Sequence, residues 1–339
     1  MNSKHYSQLS PLERDQLAFY RAQNKSLRFI AAKLKRSPST ISRELRRNCA
    51  PVNAGYYCPH PAQSRADGRR RQASRHQRLR DPLIRRYVRI HLPLRWSPEA
   101  IAGRLRLDHP GKRISHEAIY QWVYADAPHL VRFLPKAHRK RRYRGYAKRK
   151  HLKSHIPDRV PISERPAAVQ SRKCAGHWEA DTAGNRKSSA VLLVLHERKT
   201  RFTILRKLRR RTARQLCRKT INALKLFPAA LRRSITYDNG PENALHALIN
   251  RFLGTDSYFC APYHSWEKGS VENVIGLLRL HCPKSLRLSR VSSSRIAAIQ
   301  TALNRRPRKC LRFRSPAALL QRELRRFHVA PRRQRRILQ

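Results

Sequence analysis

A formal net charge of +57 constrains this chain more than any other feature of its sequence. The 339 residues include 77 lysines and arginines but only 20 aspartates and glutamates. So large an excess of one charge requires a polyanion as partner, and nucleic acid fits because each neutralised phosphate releases counterions. We therefore expect a nucleic-acid-binding protein. Because its acidic residues are so few, a carboxylate at the end of a strand or helix stands out as a candidate functional residue.

An anionic membrane surface is the alternative polyanion, and the sequence disfavours it. The longest purely apolar stretch, Ala190–Leu195, is too short to cross a bilayer, and the N-terminus lacks a signal-peptide pattern. Seven cysteines are scattered singly without zinc-knuckle spacing, as expected of reduced packing thiols. These features predict a cytoplasmic, nucleoid-associated bacterial protein with no membrane partner.

Changes of texture divide the chain into five segments. The predicted segments are a first helix-turn-helix region at 1–50, a second at 51–135, a basic linker at 136–160, an α/β domain at 161–325 and a basic tail at 326–339. At 339 residues, more than one compact domain is expected.

The first region predicts two helices joined by a tight turn. Apolar residues between Leu27 and Leu34 follow the i, i+3, i+4, i+7 spacing of an amphipathic helix. Ser37 followed by Pro38 is typical of the start of a second helix. The outward face of that helix is predicted to touch base edges and phosphates through Ser39, Thr40, Ser42, Arg43, Arg46 and Arg47.

The second region repeats this pattern. Ser97-Pro98 predicts the start of one helix, Asp108–Gly111 breaks it, and another begins at Ser115. The residues free to face a DNA groove are His116, Glu117, Tyr120 and Gln121. An ordinary helical hairpin is the alternative for both regions, and the net charge favours DNA binding.

Beyond about residue 160, short apolar runs alternate with helical patterns, which indicates an α/β domain. The predicted strands are His177–Asp181, Ala190–His196, Arg201–Leu205, Ile235–Tyr237 and Ser257–Cys260. The predicted helices are Thr212–Leu226, one from about Glu242 to Phe252, and one through Val271–Leu278. We expect the first three strands to form an antiparallel meander. This order of elements suggests a ribonuclease-H-like domain.

Three carboxylates lie at the ends of these elements. Asp181 closes the first predicted strand, Asp238 closes the fourth, and Glu272 borders the apolar stripe of the last helix. In-line phosphoryl displacement by two hard cations about 3.5–4 Å apart needs several oxygen ligands of this kind. The three residues are therefore the candidate catalytic and metal-binding residues.

Alternatives to this interpretation stay open on spacing alone. Asp238-Asn-Gly is also a turn signal, so an isolated aspartate there need not be catalytic. Glu179 shares a strand face with Asp181, and Glu267 competes with Glu272. Both rank second, because Glu179 sits deeper in its strand and Glu267 precedes the helix.

Seven motifs spread over nearly the whole chain resemble those of one family. They are Ser37–Asn48, Trp96–Glu99, Ile114–Tyr120, Gly176–Asp181, Asp238–Gly240, Pro262–Asn273 and Asn304–Lys309. Together they resemble the insertion-sequence-thirty family of bacterial DDE transposases. The family's acidic triad falls on Asp181, Asp238 and Glu272, with 33 residues between the last two.

The resemblance implies an α/β, ribonuclease-H-like integrase catalytic core at 161–325, preceded by an all-α helix-turn-helix DNA-binding region. It implies a DNA transposase that binds the terminal inverted repeats of its element and performs metal-dependent strand cleavage and transfer. Magnesium or manganese is the implied metal, with two ions expected. Double-stranded DNA, both ends and target, is the implied partner, and a homo-oligomer is expected because two ends must be held together. The alternative is a catalytically inactive DNA-binding repressor derived from a transposase.

Overall fold

The computed structural model describes residues 8–49, 56–74, 79–135, 156–184, 188–261 and 264–338. The chain forms two compact units, Met1–Arg78 and Leu79–Gln339. Most of the predicted basic linker, residues 136–155, lies outside the described residues. Among the residues that are described, no helix is long and apolar enough to cross a membrane.

The described residues of the first unit form the helices α1 (Pro11–Ala22), α2 (Leu27–Lys33), α3 (Pro38–Asn48) and α4 (Pro59–Ser74). Serine side chains cap the first three helices, as the Ser-Pro pattern before α3 predicts. Leu17, Ile30 and Ile41 are fully buried where α1, α2 and α3 meet. The predicted helix-turn-helix is α2 and α3, and it is confirmed.

The fourth helix extends this unit beyond residue 50. Buried Arg14 on α1 donates to Glu44 at 2.8 Å and to Gln63 of α4 at 2.7 Å. The Asn48 carbonyl at the end of α3 accepts a hydrogen bond from Arg65 of α4. Because α4 satisfies these polar groups, the structural boundary falls at residue 78 and not at 50.

The second unit begins with α5 (Pro82–His91), α6 (Pro98–Asp108) and α7 (His116–Asp126). Leu92, Ile101, Leu105, Ile119 and Val123 are fully buried among these helices. Ser97 and Ser115 cap α6 and α7 as their positions before the helices predict. The pair α6 and α7 is the second predicted helix-turn-helix.

Gly103 lies where α6 meets the C-terminal part of the same unit. A β-carbon at residue 103 would overlap the aromatic ring of Phe313. We expect Gly103→Ala to lower the free energy of unfolding by about 1–3 kcal/mol, because the ring or α6 must shift.

Gly276 supplies the matched control, because it also lies in a helix but a β-carbon added there would meet nothing within 4 Å. Gly276→Ala should stabilise the protein by up to about 1 kcal/mol, the usual helix preference for alanine. Urea unfolding of both variants checks the prediction. Equal effects at the two glycines would contradict it.

The sheet of the second unit has the strands β1 (His177–Ala183), β2 (Val191–Glu197), β3 (Thr203–Leu208), β4 (Ser234–Tyr237) and β5 (Asp256–Phe259). Their order is β3-β2-β1-β4-β5. The pairs β1–β2 and β2–β3 are antiparallel, whereas β1–β4 and β4–β5 are parallel. An antiparallel meander extended by two parallel strands is the ribonuclease-H-like arrangement, so the predicted fold is confirmed.

Helices cover both faces of this sheet. They are α8 (Ala167–Gln170), α9 (Ala213–Leu224), α10 (His246–Leu253), α11 (Gly269–Leu278), α12 (Ser293–Arg305), α13 (Pro316–Arg326) and α14 (Pro331–Leu338). On one face, residues of α9, α10, α13 and α14 belong to the same hydrophobic core as Trp178. On the other face, α11 and α12 pack against Leu192 and Val194.

The predicted helix from Glu242 to Phe252 is wrong in its first turn. A 3₁₀ turn spans Pro241–Asn243, and α10 begins only at His246. The Glu242 side chain is buried and paired with Arg211, while the Asn243 amide bonds to Asp238. These tertiary contacts hold the segment as a turn against the sheet edge.

Candidate active site

The strand pairing brings two predicted carboxylates to one edge of the sheet. Asp181 lies in β1, and Asp238 follows the last residue of β4. Strands β1 and β4 are parallel neighbours, with Glu179 opposite Thr236. Because parallel strands end at the same edge, the two aspartates come together there, as their positions in the sequence predict.

A lysine lies between the two aspartates. Lys268 Nζ is 3.7 Å from Asp181 Oδ2 and 3.6 Å from Asp238 Oδ2. The same Nζ donates to the Ala180 carbonyl at 3.1 Å, and its side chain is 3% exposed. The ammonium group therefore compensates both carboxylates from a buried position.

Backbone and amide donors hold the two carboxylates in place. The Thr182 N–H donates to Asp181 Oδ1 at 2.7 Å, and Asn243 Nδ2 donates to Asp238 Oδ1 at 2.8 Å. Burial raises the pKa of Asp181; Lys268 opposes that shift, whereas the Asp238 carboxylate adds to it. Such repulsion between neighbouring carboxylates is relieved by a cation.

The donor chemistry of the pair fits a divalent cation. Two carboxylates facing one positive charge form the kind of oxygen-rich site that magnesium or manganese prefers. Lys268 Nζ supplies that positive charge in this structure. Among the described residues, however, no group of three or more His, Cys, Asp or Glu side chains is arranged to hold a metal ion.

The third predicted carboxylate, Glu272, does not join the two aspartates in such a group. It lies in the first turn of α11, one residue after fully buried Val271, and its side chain is exposed. Within the part of the chain that the structure describes, Glu272 makes no hydrogen bond or ion pair. The structure thus places Asp181 and Asp238 close together, whereas Glu272 lies on the surface of α11. The membership of Glu272 in a triad stays a prediction.

The two competing glutamates already have structural partners. Glu179 is 1% exposed, accepts a 2.6 Å hydrogen bond from Arg198 Nη1, and accepts another from the Val271 N–H at 2.9 Å. Glu267 accepts from the Ala261 N–H at 2.9 Å. Glu179 therefore fixes the first turn of α11 to the sheet, a role that explains its burial without catalysis.

The predicted DNA-reading residues lie on the outer faces of their helices. On α3 all are exposed except Thr40, which is half-buried, and on α7 all are exposed except Tyr120, which is half-buried. Arg43 bends back along α3, where Nη2 donates to Ser39 Oγ at 3.2 Å. Both helices therefore offer polar faces of the predicted composition.

Sequence reasoning missed Lys268 and Asn243, which hold the aspartates. Both follow signals in the sequence, since Lys268 immediately precedes α11 and Asn243 ends the segment that begins at Asp238. A residue's nearness along the chain does not show which way its side chain points, so neither could be assigned.

Comparisons with known proteins agree with this architecture. Residues 5–48 match a family model described as a helix-turn-helix domain. The chain is 36% identical to the transposase for insertion sequence element IS1086 of Cupriavidus metallidurans, over 94% of this chain and 96% of that protein. It is 32% identical to transposase InsI for IS30A of Escherichia coli, over 91% of this chain and 82% of that protein. It is 36% identical to the transposase for IS4351 of Bacteroides fragilis, over 86% and 88% of the two chains.

Among solved structures, the catalytic core domain of BIV integrase aligns with a TM-score of 0.37 at 17% identity, covering 45% of this chain and 99% of that one.

Proposed function

The chain belongs to the IS30 family of transposases, and from this premise we propose that it cuts and rejoins DNA at the ends of its own insertion sequence. The observation that carries the proposal is the pair of aspartates at one edge of a ribonuclease-H-like sheet. Carboxylates placed in this way suit the displacement at phosphorus that cleavage and strand transfer both require.

Asp181, Asp238 and Glu272 are the residues that would hold two magnesium or manganese ions. When bound, the ions supply Lewis acidity and lower the pKa of coordinated water. Thr182 and Asn243 keep the aspartate oxygens oriented. Lys268 offsets part of the negative charge of the pair in the free protein, which reduces the repulsion between the two carboxylates.

DNA recognition is assigned to the exposed faces of α3 and α7. The N-terminal helix-turn-helix would bind the terminal inverted repeat, with Ser39, Thr40, Ser42, Arg43, Arg46 and Arg47 toward the groove, and α7 would add His116, Glu117, Tyr120 and Gln121. Joining needs two ends at once, so the working form is proposed to be a homo-oligomer on DNA.

The test is a strand-nicking assay on a duplex that carries the element's own end. We expect nicking with Mg²⁺ or Mn²⁺ on that duplex, none with a chelator, and none on a duplex whose terminal repeat is scrambled. Tight binding of the native end without nicking in either metal would overturn the proposal and favour the repressor alternative.

Arg43 gives a direct test of the recognition face. We expect Arg43→Ala to weaken binding to the element's end by about tenfold, since a well-placed base contact is worth about 1–3 kcal/mol. Arg21→Ala is the matched control, because Arg21 is an exposed arginine in the last turn of α1 of the same unit. Equal losses in the two variants, on native and scrambled duplexes alike, would contradict base readout by Arg43.

A further inference from the structure

A cavity lined by arginines lies at the first turns of α11, which follow Lys268 in the chain. It has a volume of about 530 Å³ and is bounded by the hairpin between β2 and β3, the first turns of α11 and the segment after α12. Arg172, Arg201 and Arg308 line it together with Ser270 and Asn273. We call Arg172, Arg201 and Arg308 with their cavity the arginine pocket.

The positive charge of the arginine pocket is not matched by acid. In the described part of the chain, none of its three arginines forms an ion pair with a carboxylate. The carboxylate of Glu179 is paired with nearby Arg198. Arg201 and Arg172 both donate to the same neutral acceptor, Ser270 Oγ, at 2.6 and 3.4 Å. One hydroxyl oxygen cannot neutralise two guanidinium groups.

Arg308 is the least satisfied member of the pocket. Its Nε and Nη2 atoms are buried and have no hydrogen-bond partner among the described residues. Burial, with the nearby charges of Arg306 and Arg201, lowers the pKa of Arg308 to about 10. An unpaired buried guanidinium costs several kcal/mol unless an anion meets it.

The backbone adds a second argument. Arg172 and Arg201 both have left-handed backbone conformations, with φ of 55° and 62°. Such conformations favour glycine and cost other residues roughly 1–2 kcal/mol. The two turns that contain these residues direct both arginine side chains at Ser270, so the backbone brings two guanidinium groups to one acceptor.

The first turn of α11 connects this pocket with the aspartates. Gly269 and Ser270 begin the ten-residue helix and line the pocket, while adjacent Lys268 contacts Asp181 and Asp238. The amino end of a helix carries partial positive charge and favours anions. Three consecutive residues, Lys268, Gly269 and Ser270, thus connect the aspartates with the pocket.

We infer that the arginine pocket binds a backbone phosphate of the DNA strand next to the phosphodiester that is cut. The identity of the ligand as DNA rests on the proposed function. Arginine forks and a serine hydroxyl match the two non-bridging oxygens of a phosphodiester, and the cavity has room for the attached sugar. The pocket thus fixes which bond of the strand reaches the aspartates.

The first arm of the test uses inorganic phosphate. Phosphate is expected to raise the melting temperature of the wild-type chain above that in chloride of equal ionic strength, and Arg308→Gln should abolish the rise. Without phosphate, Arg308→Gln should melt no lower than wild type, because a buried unpaired charge is removed. Arg305→Gln, an exposed arginine at the end of α12, should keep the rise. Arg172→Gln serves if Arg308→Gln does not fold.

The second arm moves one neutral methylphosphonate along the element's end and measures binding without divalent metal. At one linkage, wild type and Arg305→Gln should lose about tenfold in affinity, the value of one charge-assisted contact, whereas Arg308→Gln should lose nothing further. If the wild-type protein shows no such dependence on the position of the methylphosphonate, while phosphate still raises its melting temperature, DNA is overturned as the ligand and a small-anion site remains. No effect in either arm would overturn the pocket altogether.

The two arms separate the pocket from catalysis, since neither of them measures cleavage. A protein that gives the phosphate-specific pattern but never nicks DNA would refute the proposed function and leave the pocket in place.

Discussion

Replacing Asp181 or Asp238 by asparagine should reduce Mg²⁺-dependent cleavage and joining by on the order of a thousandfold or more, while binding to the element's end stays within about twofold of wild type. Asparagine keeps the shape of the side chain but removes the negative charge that the cation and Lys268 both require. Single-turnover cleavage at saturating protein measures the loss.

Asp256→Asn is the control for this pair. Asp256 is exposed at the start of β5, at the sheet edge opposite to Asp238, so its loss changes the net charge equally and should leave cleavage unchanged. Glu272→Gln tests the proposed third member of the triad by the same assay, with a comparable loss expected. Wild-type cleavage by Asp181→Asn would contradict the assignment of the site.

Replacing Glu179 by glutamine should destabilise the second unit by about 3 kcal/mol, because Arg198 is left buried without its counter-charge. For a unit of this size the melting temperature should fall by roughly 6 °C. The Val271 N–H would also lose a charged acceptor, so the first turn of α11 should loosen. Differential scanning calorimetry gives the measurement.

Glu164→Gln is the matched control, since Glu164 is an exposed glutamate of the same unit and should change the melting temperature little. A Glu179→Gln protein that melts like wild type but no longer cleaves DNA would show instead that Glu179 acts at the reacting phosphate.

The strands are predictable because their short apolar runs, bounded by polar breaks, are typical of buried strands. Val191–Glu197 is buried at every position, and its apolar run is recognisable in the sequence. The convergence of Asp181 and Asp238 follows from strand order alone, because parallel neighbours end at one sheet edge. The local pattern is visible in the sequence, and the parallel pairing of β1 with β4 in the structure completes the site.

The features that the sequence does not predict depend on contacts between distant residues. The local pattern favours a helix that starts at Glu242. The pairing of Glu242 with Arg211, which holds this segment as a turn, is not visible in the sequence. The packing of α4 on α1 depends on Arg14 reaching Gln63, 49 positions away. The arginine pocket is hidden for the same reason, since among so many arginines the unpaired ones can be identified only when their neighbours are known.

The first turn of α11, together with the residue before it, contacts three other segments of the chain. Lys268 contacts the aspartates, Ser270 accepts from Arg172 and Arg201, and the Val271 N–H is fixed by Glu179. Because helical residues have fixed positions relative to one another, about 100° apart around the axis, any rotation of α11 moves all three contacts together. Alleles that lose one step of transposition and keep the others should therefore be rare in this turn, whereas second-site suppressors of its mutations should cluster in the three partner segments.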